Sequence, residues 1–173
     1  MFDKLFSLLA EFWSTIWPFN VIQEYQNGVL LRLGKFKKVL TPGLHFVIPF
    51  IDEVMVHHVV VTTINLPSQS VTTKDNKQVV VKGVIKYRIS DIKVFLLEVF
   101  DAIDAISDMS ESIIKRTIMD NDWEQCMSNE LDDYITKKAR HEAKKWGIEI
   151  LTLTLTDLGQ IRSIKLFNDS TIS

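Results

Sequence analysis

Residues 71–89 read VTTKDNKQVVVKGVIKYRI and carry the clearest β-sheet signal in the chain. Lys74 to Lys77 supply polar turn residues between two apolar stretches. Beyond this turn basic side chains separate the apolar ones, and a period of two is typical of a strand with one buried face. The apolar positions are Val79, Val81, Ile85, Tyr87 and Ile89. The stretch therefore predicts a β-hairpin whose second strand packs against a core.

Helices follow this hairpin along the chain. Ser90 and Asp91 can cap a helix, and the apolar spacing predicts helices over 92–100, 102–118 and about 129–146. Gly147 is a fitting stop for the last of them. Leucine and threonine then alternate over 151–156, which indicates a final strand over 148–156.

The segment that precedes the hairpin, from Val21 to Ile64, is predicted to be β-rich. Asn27-Gly28 is a typical two-residue hairpin turn, and Thr41-Pro42-Gly43 is a second turn. The predicted fold class is therefore α+β, with a β-rich first part and an α/β second part.

An apolar run over 44–51 contains Pro49, which argues against a central strand. Two interpretations remain open: a loop that contacts lipid through Phe46, Ile48 and Phe50, and a buried segment of the core. A basic cluster lies nearby in the sequence, and it is either a solvated turn or a second lipid contact. In contact with anionic lipid each of its charges would contribute about 1 kcal/mol. The cluster consists of Arg32, Lys35, Lys37 and Lys38.

Met1 to Trp17 has the apolar period of an amphipathic helix, which Pro18 ends. Such a helix is about 25 Å long at 1.5 Å per residue, shorter than the roughly 30 Å hydrocarbon core of a bilayer. We therefore expect it to lie in the plane of the membrane interface, where tryptophan rings are favoured. Packing on its own domain or on a neighbouring subunit is the alternative. The predicted membrane-binding residues are Phe2, Leu5, Phe6, Leu9, Phe12, Trp13, Ile16 and Trp17.

Charge is unevenly distributed in the second part. Acidic residues far outnumber basic ones from Glu98 to Asp133, and basic residues follow directly. Two solvated helix faces would explain this pattern. The other interpretation is a head-to-tail contact between subunits, which builds rings or open arrays. Its candidate residues are Asp101, Asp104, Asp108 and Glu111 on the acidic side, and Lys137, Lys138, Arg140, Lys144 and Lys145 on the basic side.

Composition and motifs argue against several classes of function. The 173 residues carry a formal net charge of −2, so no overall positive charge indicates nucleic-acid binding. His57 and His58 are neighbours on a predicted strand and point to opposite faces, which argues against a shared metal ion. The sequence contains no nucleophile–base, metalloprotease or phosphate-loop motif. We therefore expect no catalytic residue, no metal and no cofactor.

Two smaller features have simple interpretations. Asp120, Asp122 and Glu124 surround Trp123, and such a carboxylate group could bind a cation. Because their spacing fits no known cation-binding loop, we interpret them as the start of a helix. The single cysteine, Cys126, cannot form an internal disulfide, and we expect it to be a small core residue.

A series of motifs resembles the SPFH superfamily of stomatins, prohibitins, flotillins and bacterial membrane-protease regulators. The series covers about residues 20–158, and its strength comes from the order of its members. In the first part the motifs are Tyr25-Gln26-Asn27-Gly28-Val29, Leu31-Arg32-Leu33-Gly34-Lys35-Phe36, Pro42-Gly43-Leu44-His45-Phe46 and Ile48-Pro49-Phe50-Ile51-Asp52. In the second part they are Val71-Thr72-Thr73-Lys74-Asp75-Asn76, Val84-Ile85-Lys86-Tyr87-Arg88-Ile89, Trp146-Gly147-Ile148-Glu149-Ile150 and Asp157-Leu158.

The resemblance implies an SPFH (band 7) domain in two parts on a membrane surface. The expected boundaries are 1–18 for the anchoring helix, 20–65 for the β-rich first subdomain, 66–158 for the α/β second subdomain and 159–173 for a short tail. The implied function is a non-enzymatic homo-oligomeric scaffold, in a ring or an array, that organises membrane lipids or membrane proteins. The alternative is a regulatory subunit that binds a membrane protease or channel. The implied location is peripheral, on the cytoplasmic face.

The sequence departs from the family in one respect. Members usually continue into a long coiled coil, whereas fifteen residues follow Leu158 here. We therefore expect assembly through side-by-side contacts between domains rather than through a coiled coil.

Overall fold

The computed structural model of this protein describes residues 18–128 and 130–160. This part of the chain is mixed α+β, with a β-rich first part, then helices and a final strand, as predicted. The strands are β1 (Phe19–Ile22), β2 (Gln26–Arg32), β3 (Lys35–Leu40), β4 (Gly43–Phe46), β5 (Asp52–His58), β6 (Thr62–Asn65), β7 (Gln69–Thr72), β8 (Gln78–Ile89) and β9 (Ile148–Gln160). The helices are α1 (Ile92–Leu97), α2 (Ala102–Asp120), α3 (Trp123–Cys126) and α4 (Glu130–Ala143), and a 3-10 turn follows at Lys144–Trp146. The anchoring helix predicted over Met1 to Trp17 lies outside the described residues.

The chain forms two compact units. Within the described residues, one contains 18–62 together with Arg88–Ala102 and Ala143–Glu149, and the other contains Thr63–Tyr87, Ile103–Glu142 and 150–160. The boundaries 20–65 and 66–158 inferred from the resemblance stay a prediction.

In the first unit, β2 lies between β3 and β5 in an antiparallel sheet, and β1 pairs with β4. Ile22, Leu30 and Leu40 are buried together, with Val47 and Val54 packed against them. The turn between β2 and β3 is Leu33-Gly34, and both residues have positive φ angles of 51° and 74°. Two successive positive φ angles are typical of a tight hairpin turn whose twist matches its strands.

The prediction of a hairpin turn at Asn27-Gly28 is wrong. Both residues lie inside β2, where Gly28 pairs with Leu40 of β3 and with Val56 of β5. A Cβ atom at Gly28 would lie 2.5 Å from the carbonyl oxygen of Met55. This glycine therefore allows a close backbone approach rather than a turn.

The predicted cap and stop of the helices are confirmed. The Asp91 carboxylate oxygen accepts hydrogen bonds from the backbone N–H groups of Lys93 and Val94 at 2.9 and 3.2 Å, which begins α1 as a capping residue does. Gly147 is left-handed, with φ at 70°, and ends the 3-10 turn after α4. Its carbonyl accepts the backbone N–H of Asp91 at 3.0 Å, so the cap and the stop belong to one local arrangement.

In the second unit, β8 pairs with β6, β7 and β9. Alternate residues of β8 are buried, as predicted, and α2, α4 and β9 supply further core residues. The largest fully buried side chains here are Ile85, Ile106, Ile114, Ile118, Ile135, Ile150 and Leu153. The alternation in residues 79–89 thus identifies the strand around which this unit packs.

The β7–β8 turn is fixed by a hydrogen-bonded carboxylate. Asp75 accepts from the Thr73 hydroxyl and from the backbone N–H of Trp123, and its other oxygen lies 2.8 Å from the Lys77 ammonium. Asp122 is the N-cap of α3 and Cys126 is buried. The interpretations of the carboxylate group as a helix start and of the cysteine as a core residue are therefore confirmed.

We expect Gly28→Ala to lower the free energy of unfolding by about 1–3 kcal/mol, because the added methyl group forces β2 and β5 apart. Chemical denaturation followed by circular dichroism would measure this change. Gly159→Ala is the control, since a Cβ atom there meets no heavy atom within 4 Å. Equal stability of the two variants would contradict the proposed reason for a glycine at position 28.

Candidate functional site

The paired strands β1 and β4 present an apolar face. Their register places Phe19 opposite Phe46 and Val21 opposite Leu44. Directly opposed residues lie on the same side of a pair, as do alternate residues of one strand. The four side chains therefore share one side, and they are 41%, 58%, 59% and 66% exposed for Phe19, Phe46, Val21 and Leu44. We call Phe19, Val21, Leu44 and Phe46 the apolar face.

The packing within this face is ordered. The rings of Phe19 and Phe46 meet edge to face, with centroids 5.9 Å apart, a favoured geometry for aromatic pairs. Ile22 on β1 is only 3% exposed and packs into the buried cluster with Leu30 and Leu40. One side of the β1–β4 pair thus covers the core while the other presents apolar groups to its surroundings.

The segment before β1 joins the domain beside the loop over 47–51. The backbone N–H of Val47 donates to the Pro18 carbonyl at 2.7 Å, which extends the β1–β4 ladder by one bond. Pro18 directly follows the aromatic segment Met1 to Trp17. The apolar face therefore begins one residue after Pro18, and the loop over 47–51 begins at the residue bonded to Pro18.

The loop itself presents a phenylalanine at its tip. Phe50 is 91% exposed and has a φ of 68°, an uncommon conformation for a bulky residue. The Ile48 carbonyl accepts the backbone N–H groups of Ile51 and Asp52 at 3.3 and 2.9 Å, which closes the turn. Phe46 and Phe50, two of the predicted lipid contacts, are exposed, whereas Ile48 is half-buried. The interpretation of 44–51 as a buried core segment is wrong, and its contact with lipid stays a prediction.

Asp52 holds this loop against β2. Its carboxylate accepts from Nε and Nη2 of Arg32 at 2.7 and 3.0 Å, and from the backbone N–H of Ile48 at 2.9 Å. The Asp52 side chain has no exposed surface. The bidentate bond from Arg32, followed by the bond from Ile48, lowers the pKa of Asp52 to about 2. Arg32, which the sequence places only in a basic cluster, thus helps to position the loop through its bond to Asp52.

The rest of the basic cluster is exposed on β3, where Lys35, Lys37 and Lys38 lie. The interpretation of these lysines as a solvated turn is wrong in its secondary structure, since they are exposed but lie in a strand. Their contact with lipid stays a prediction. Lysines on an outer strand also discourage pairing with another strand edge.

The adjacent histidines have separate surroundings. The His57 ring centroid lies 4.9 Å from that of Phe95 on α1, whereas His58 approaches Tyr25 and Gln26. Burial, and then the neighbouring His58, lower the pKa of His57. Within residues 18–128 and 130–160, no three histidine, cysteine, aspartate or glutamate side chains come close enough to hold a metal ion.

Six of the candidate subunit-contact residues lie on two helices, whereas Asp101 precedes α2, and Lys144 and Lys145 lie in the 3-10 turn after α4. Asp104, Asp108 and Glu111 follow a helical spacing on α2, and Lys137, Lys138 and Arg140 lie on α4. Arg140 donates from Nε and Nη2 to the Ile150 and Leu151 carbonyls, both at 2.9 Å, so it fastens α4 to β9. Lys138 lies over the Tyr134 ring and Lys145 over the Trp146 ring. Their role in a contact between subunits stays a prediction.

Helix length bears on how the described residues could meet a membrane. None of the helices within 18–128 and 130–160 is both long and apolar enough to cross a bilayer.

The model of one protein family, described as SPFH domain / Band 7 family, matches residues 20–162. The chain belongs to the SPFH domain / Band 7 family. The match begins at Asn20 in β1, and it contains the apolar face except for Phe19. The predicted resemblance is therefore confirmed.

Relatives of this family member occur in archaea and in a giant virus. An uncharacterized protein of Archaeoglobus fulgidus is 30% identical over 141 residues, which are 80% of this chain and 57% of that protein. A stomatin homolog of Pyrococcus horikoshii is 25% identical over 80% of this chain and 53% of its own length. A putative band 7 family protein of Acanthamoeba polyphaga mimivirus is 22% identical over 82% of this chain and 48% of its own length. The chain thus spans about half the length of these relatives.

Sequence reasoning identified only Phe46 among the four residues of the apolar face. Phe19, Val21 and Leu44 are not among the predicted contacts, although Phe19-Asn20-Val21 and Leu44-His45-Phe46 both alternate apolar and polar residues. Such three-residue patterns are too short to show which side of a strand is buried. Only the register of β1 with β4 brings them together.

We expect Asp52→Asn to lower the free energy of unfolding at neutral pH. The difference in this free energy between the variant and the parent protein should shrink as the pH falls. The native pKa of Asp52, about 2, lies below the value of about 4 for an unfolded aspartate. Its stabilising contribution is therefore present above pH ~4 and is lost as the pH falls through ~2. Urea unfolding at pH 7, 4 and 2.5 would measure it.

Asp157→Asn is the control for this experiment, because Asp157 lies at an exposed ion pair with Lys82 at 3.5 Å. A difference between Asp52→Asn and the parent protein that is the same at all three pH values would contradict the assignment.

Proposed function

We propose that this protein is a non-enzymatic membrane-associated scaffold that organises lipids or membrane proteins in its patch of bilayer. One observation carries the proposal: an apolar face of four half-exposed to largely exposed side chains lies directly after an aromatic amphipathic segment. Contiguous exposed apolar patches mark interaction surfaces more often than isolated exposed residues do. Membership in the SPFH domain / Band 7 family and a relative named as a stomatin homolog support the same class.

The position of the apolar face supports a peripheral mode of binding. The Val47–Pro18 hydrogen bond sets residue 18 beside the loop, so a segment 1–17 lying in the interface would bring Phe50 and the apolar face close to the same bilayer. Lys35, Lys37 and Lys38 would then add attraction to anionic lipid, in keeping with a cytoplasmic leaflet. Each apolar side chain that leaves water contributes on the order of 1–3 kcal/mol.

The proposal includes assembly into a homo-oligomer, as a ring or an array. Asp104 and Asp108 on α2 and Lys137 and Lys138 on α4 are exposed side chains of opposite charge, and a head-to-tail contact between subunits could pair them. Confinement to a membrane plane would raise the effective concentration of subunits and so favour such a contact.

Two sets of substitutions test membrane binding by flotation with phosphatidylcholine vesicles. The first is Phe6→Glu/Trp13→Glu/Trp17→Glu, and the second is Leu44→Glu/Phe46→Glu. We expect the first to reduce partitioning by roughly a hundredfold or more and the second by roughly tenfold, because each places charge where apolar burial is required.

Each set has a matched control. Ser7→Glu/Ser14→Glu/Thr15→Glu adds the same charge to the polar side of the N-terminal segment. Val60→Glu/Val61→Glu replaces apolar residues that are 49% and 55% exposed but lie outside the apolar face. Retained flotation of the first set would falsify the anchoring role, and equal losses in Leu44→Glu/Phe46→Glu and its control would remove the apolar face from the proposal.

Charge reversal tests assembly. We expect Lys137→Glu/Lys138→Glu/Lys144→Glu to lower the mass of the membrane-extracted protein, measured by light scattering. Adding Asp104→Lys/Asp108→Lys/Glu111→Lys to this variant should restore the mass. A parent protein that is monomeric, or an unchanged mass in the variant, contradicts the contact. A single stoichiometric partner that copurifies from native membranes would indicate instead a regulatory subunit of a membrane protease or channel.

A further inference from the structure

The final strand of the second unit, β9, has a side that faces away from its neighbour. Within residues 18–128 and 130–160, β9 pairs with β8 and with no other strand. Its middle, residues 150–156, reads ILTLTLT and contains no charged residue, no proline and no glycine. Uncharged segments of this length that favour the β conformation pair readily with copies of themselves. The outer edge of β9, defined as the edge away from β8, is therefore a site where a further strand could add.

Side chains of α4 cover this outer edge, and Thr136 does so in the manner of a strand residue. Its hydroxyl accepts the backbone N–H of Leu153 at 2.9 Å and donates to the carbonyl of the same residue at 3.0 Å. Two opposed residues of antiparallel strands exchange the same two bonds through their backbones. The Thr136 hydroxyl thus occupies both backbone groups that Leu153 would offer to a neighbouring strand.

Two further side chains of α4 extend the cover along β9 in both directions. The Asp132 carboxylate accepts the backbone N–H of Leu155 at 3.1 Å. Arg140 donates from Nε to the Ile150 carbonyl and from Nη2 to the Leu151 carbonyl, both at 2.9 Å. Hydrogen bonds to charged groups are stronger than those between neutral groups. The cover therefore extends from Ile150 to Leu155 and is held most firmly at its two ends.

The spacing of these three side chains explains how a helix can cover a strand. Residues four apart on a helix lie on one side of it, about 6 Å apart along the axis, and residues two apart on a strand are about 6.6 Å apart. Positions 132, 136 and 140 thus advance along α4 at nearly the rate of 155, 153 and 151 along β9, in the opposite direction. We call Asp132, Thr136 and Arg140 the edge stripe.

We propose that the outer edge of β9 is a pairing surface for the same strand of a second copy of the chain, and that the edge stripe keeps this surface closed. Leucine and threonine alternate over 151–156, so two antiparallel copies can place leucine opposite leucine and threonine opposite threonine. Matched cross-strand pairs of this kind stabilise a sheet, and strand addition at an open edge is a common mode of association. The segment is therefore complementary to itself.

The edge stripe thereby controls which surfaces are open to self-association. While it is bonded to β9, a second strand finds no unpaired backbone donor or acceptor at Leu153, and association is left to other surfaces of the chain. This inference goes beyond the scaffold function. It depends neither on membrane binding nor on the charged contact between α2 and α4.

Removal of the edge stripe from the full chain in detergent tests the proposal. We expect Asp132→Ala/Thr136→Ala/Arg140→Ala to at least double the mass measured by light scattering, because backbone groups on the outer edge lose their partners. Hydrogen exchange of the peptide 150–156 should be roughly tenfold faster than in the parent protein at low protein concentration. It should slow as the concentration rises, since pairing with a second copy restores the bonds. Asp133→Ala/Arg116→Ala is the control, because it removes one carboxylate and one guanidinium from exposed positions.

A proline at position 155 separates strand pairing from a folding defect. The Leu155 N–H points to the outer edge, so Leu155→Pro removes an outward donor and obstructs an added strand without removing a bond to β8. Added to the edge-stripe variant, it should return the mass to that of the parent protein, whereas Leu155→Ala, which keeps the N–H, should not. An edge-stripe variant with the parent's mass overturns the proposal. A raised mass that Leu155→Pro leaves unchanged, or exchange of 150–156 that is independent of concentration, also overturns it, because the association would then use another surface.

Discussion

Burial of alternate side chains along β8 is the constraint on which the second unit depends. Val79, Val81, Ile85 and Tyr87 are all nearly inaccessible to solvent, so β8 requires a helical layer on that side. α2 and α4 meet this requirement with isoleucines and with small residues such as Ala139. Gly83 adds a space that the Ile114 and Leu66 side chains occupy, since a Cβ atom there would lie 2.8 Å from the Ile114 side chain.

The first unit meets a different constraint, which is set by charge. A carboxylate enclosed at Asp52 is tolerable only because a guanidinium and a backbone N–H face it. That requirement connects β2 to the loop over 47–51 and brings the exposed Phe50 to a defined position. A bulky residue at positive φ is unfavourable, and it persists only where surrounding contacts hold the backbone in that conformation. The loop is thus positioned by the contacts of one buried carboxylate.

Much of this could be predicted from the sequence where a pattern extends over many residues. The period of two over 79–89, the Asp91 cap and the Gly147 stop each depend on local chemistry, and each was correct. The prediction of a turn at Asn27-Gly28 failed because its turn propensity is local, whereas pairing with β3 and β5 places Gly28 inside a strand, close to the Met55 carbonyl. The apolar face was largely missed because strands of four residues carry too few positions to show which side is buried. The Arg32–Asp52 bond joins residues twenty positions apart, and no spacing rule predicts it.

The hydrogen bond between Val47 and Pro18 has a mechanical consequence. If residues 1–17 are anchored, tension between membrane and domain enters the described part of the chain at Pro18. The ladder to β4 and the buried Ile22 then share the load, because Ile22 must leave its cluster before β1 can slide. Displacement of β1 would therefore disturb the packed core of the first unit as well as the ladder.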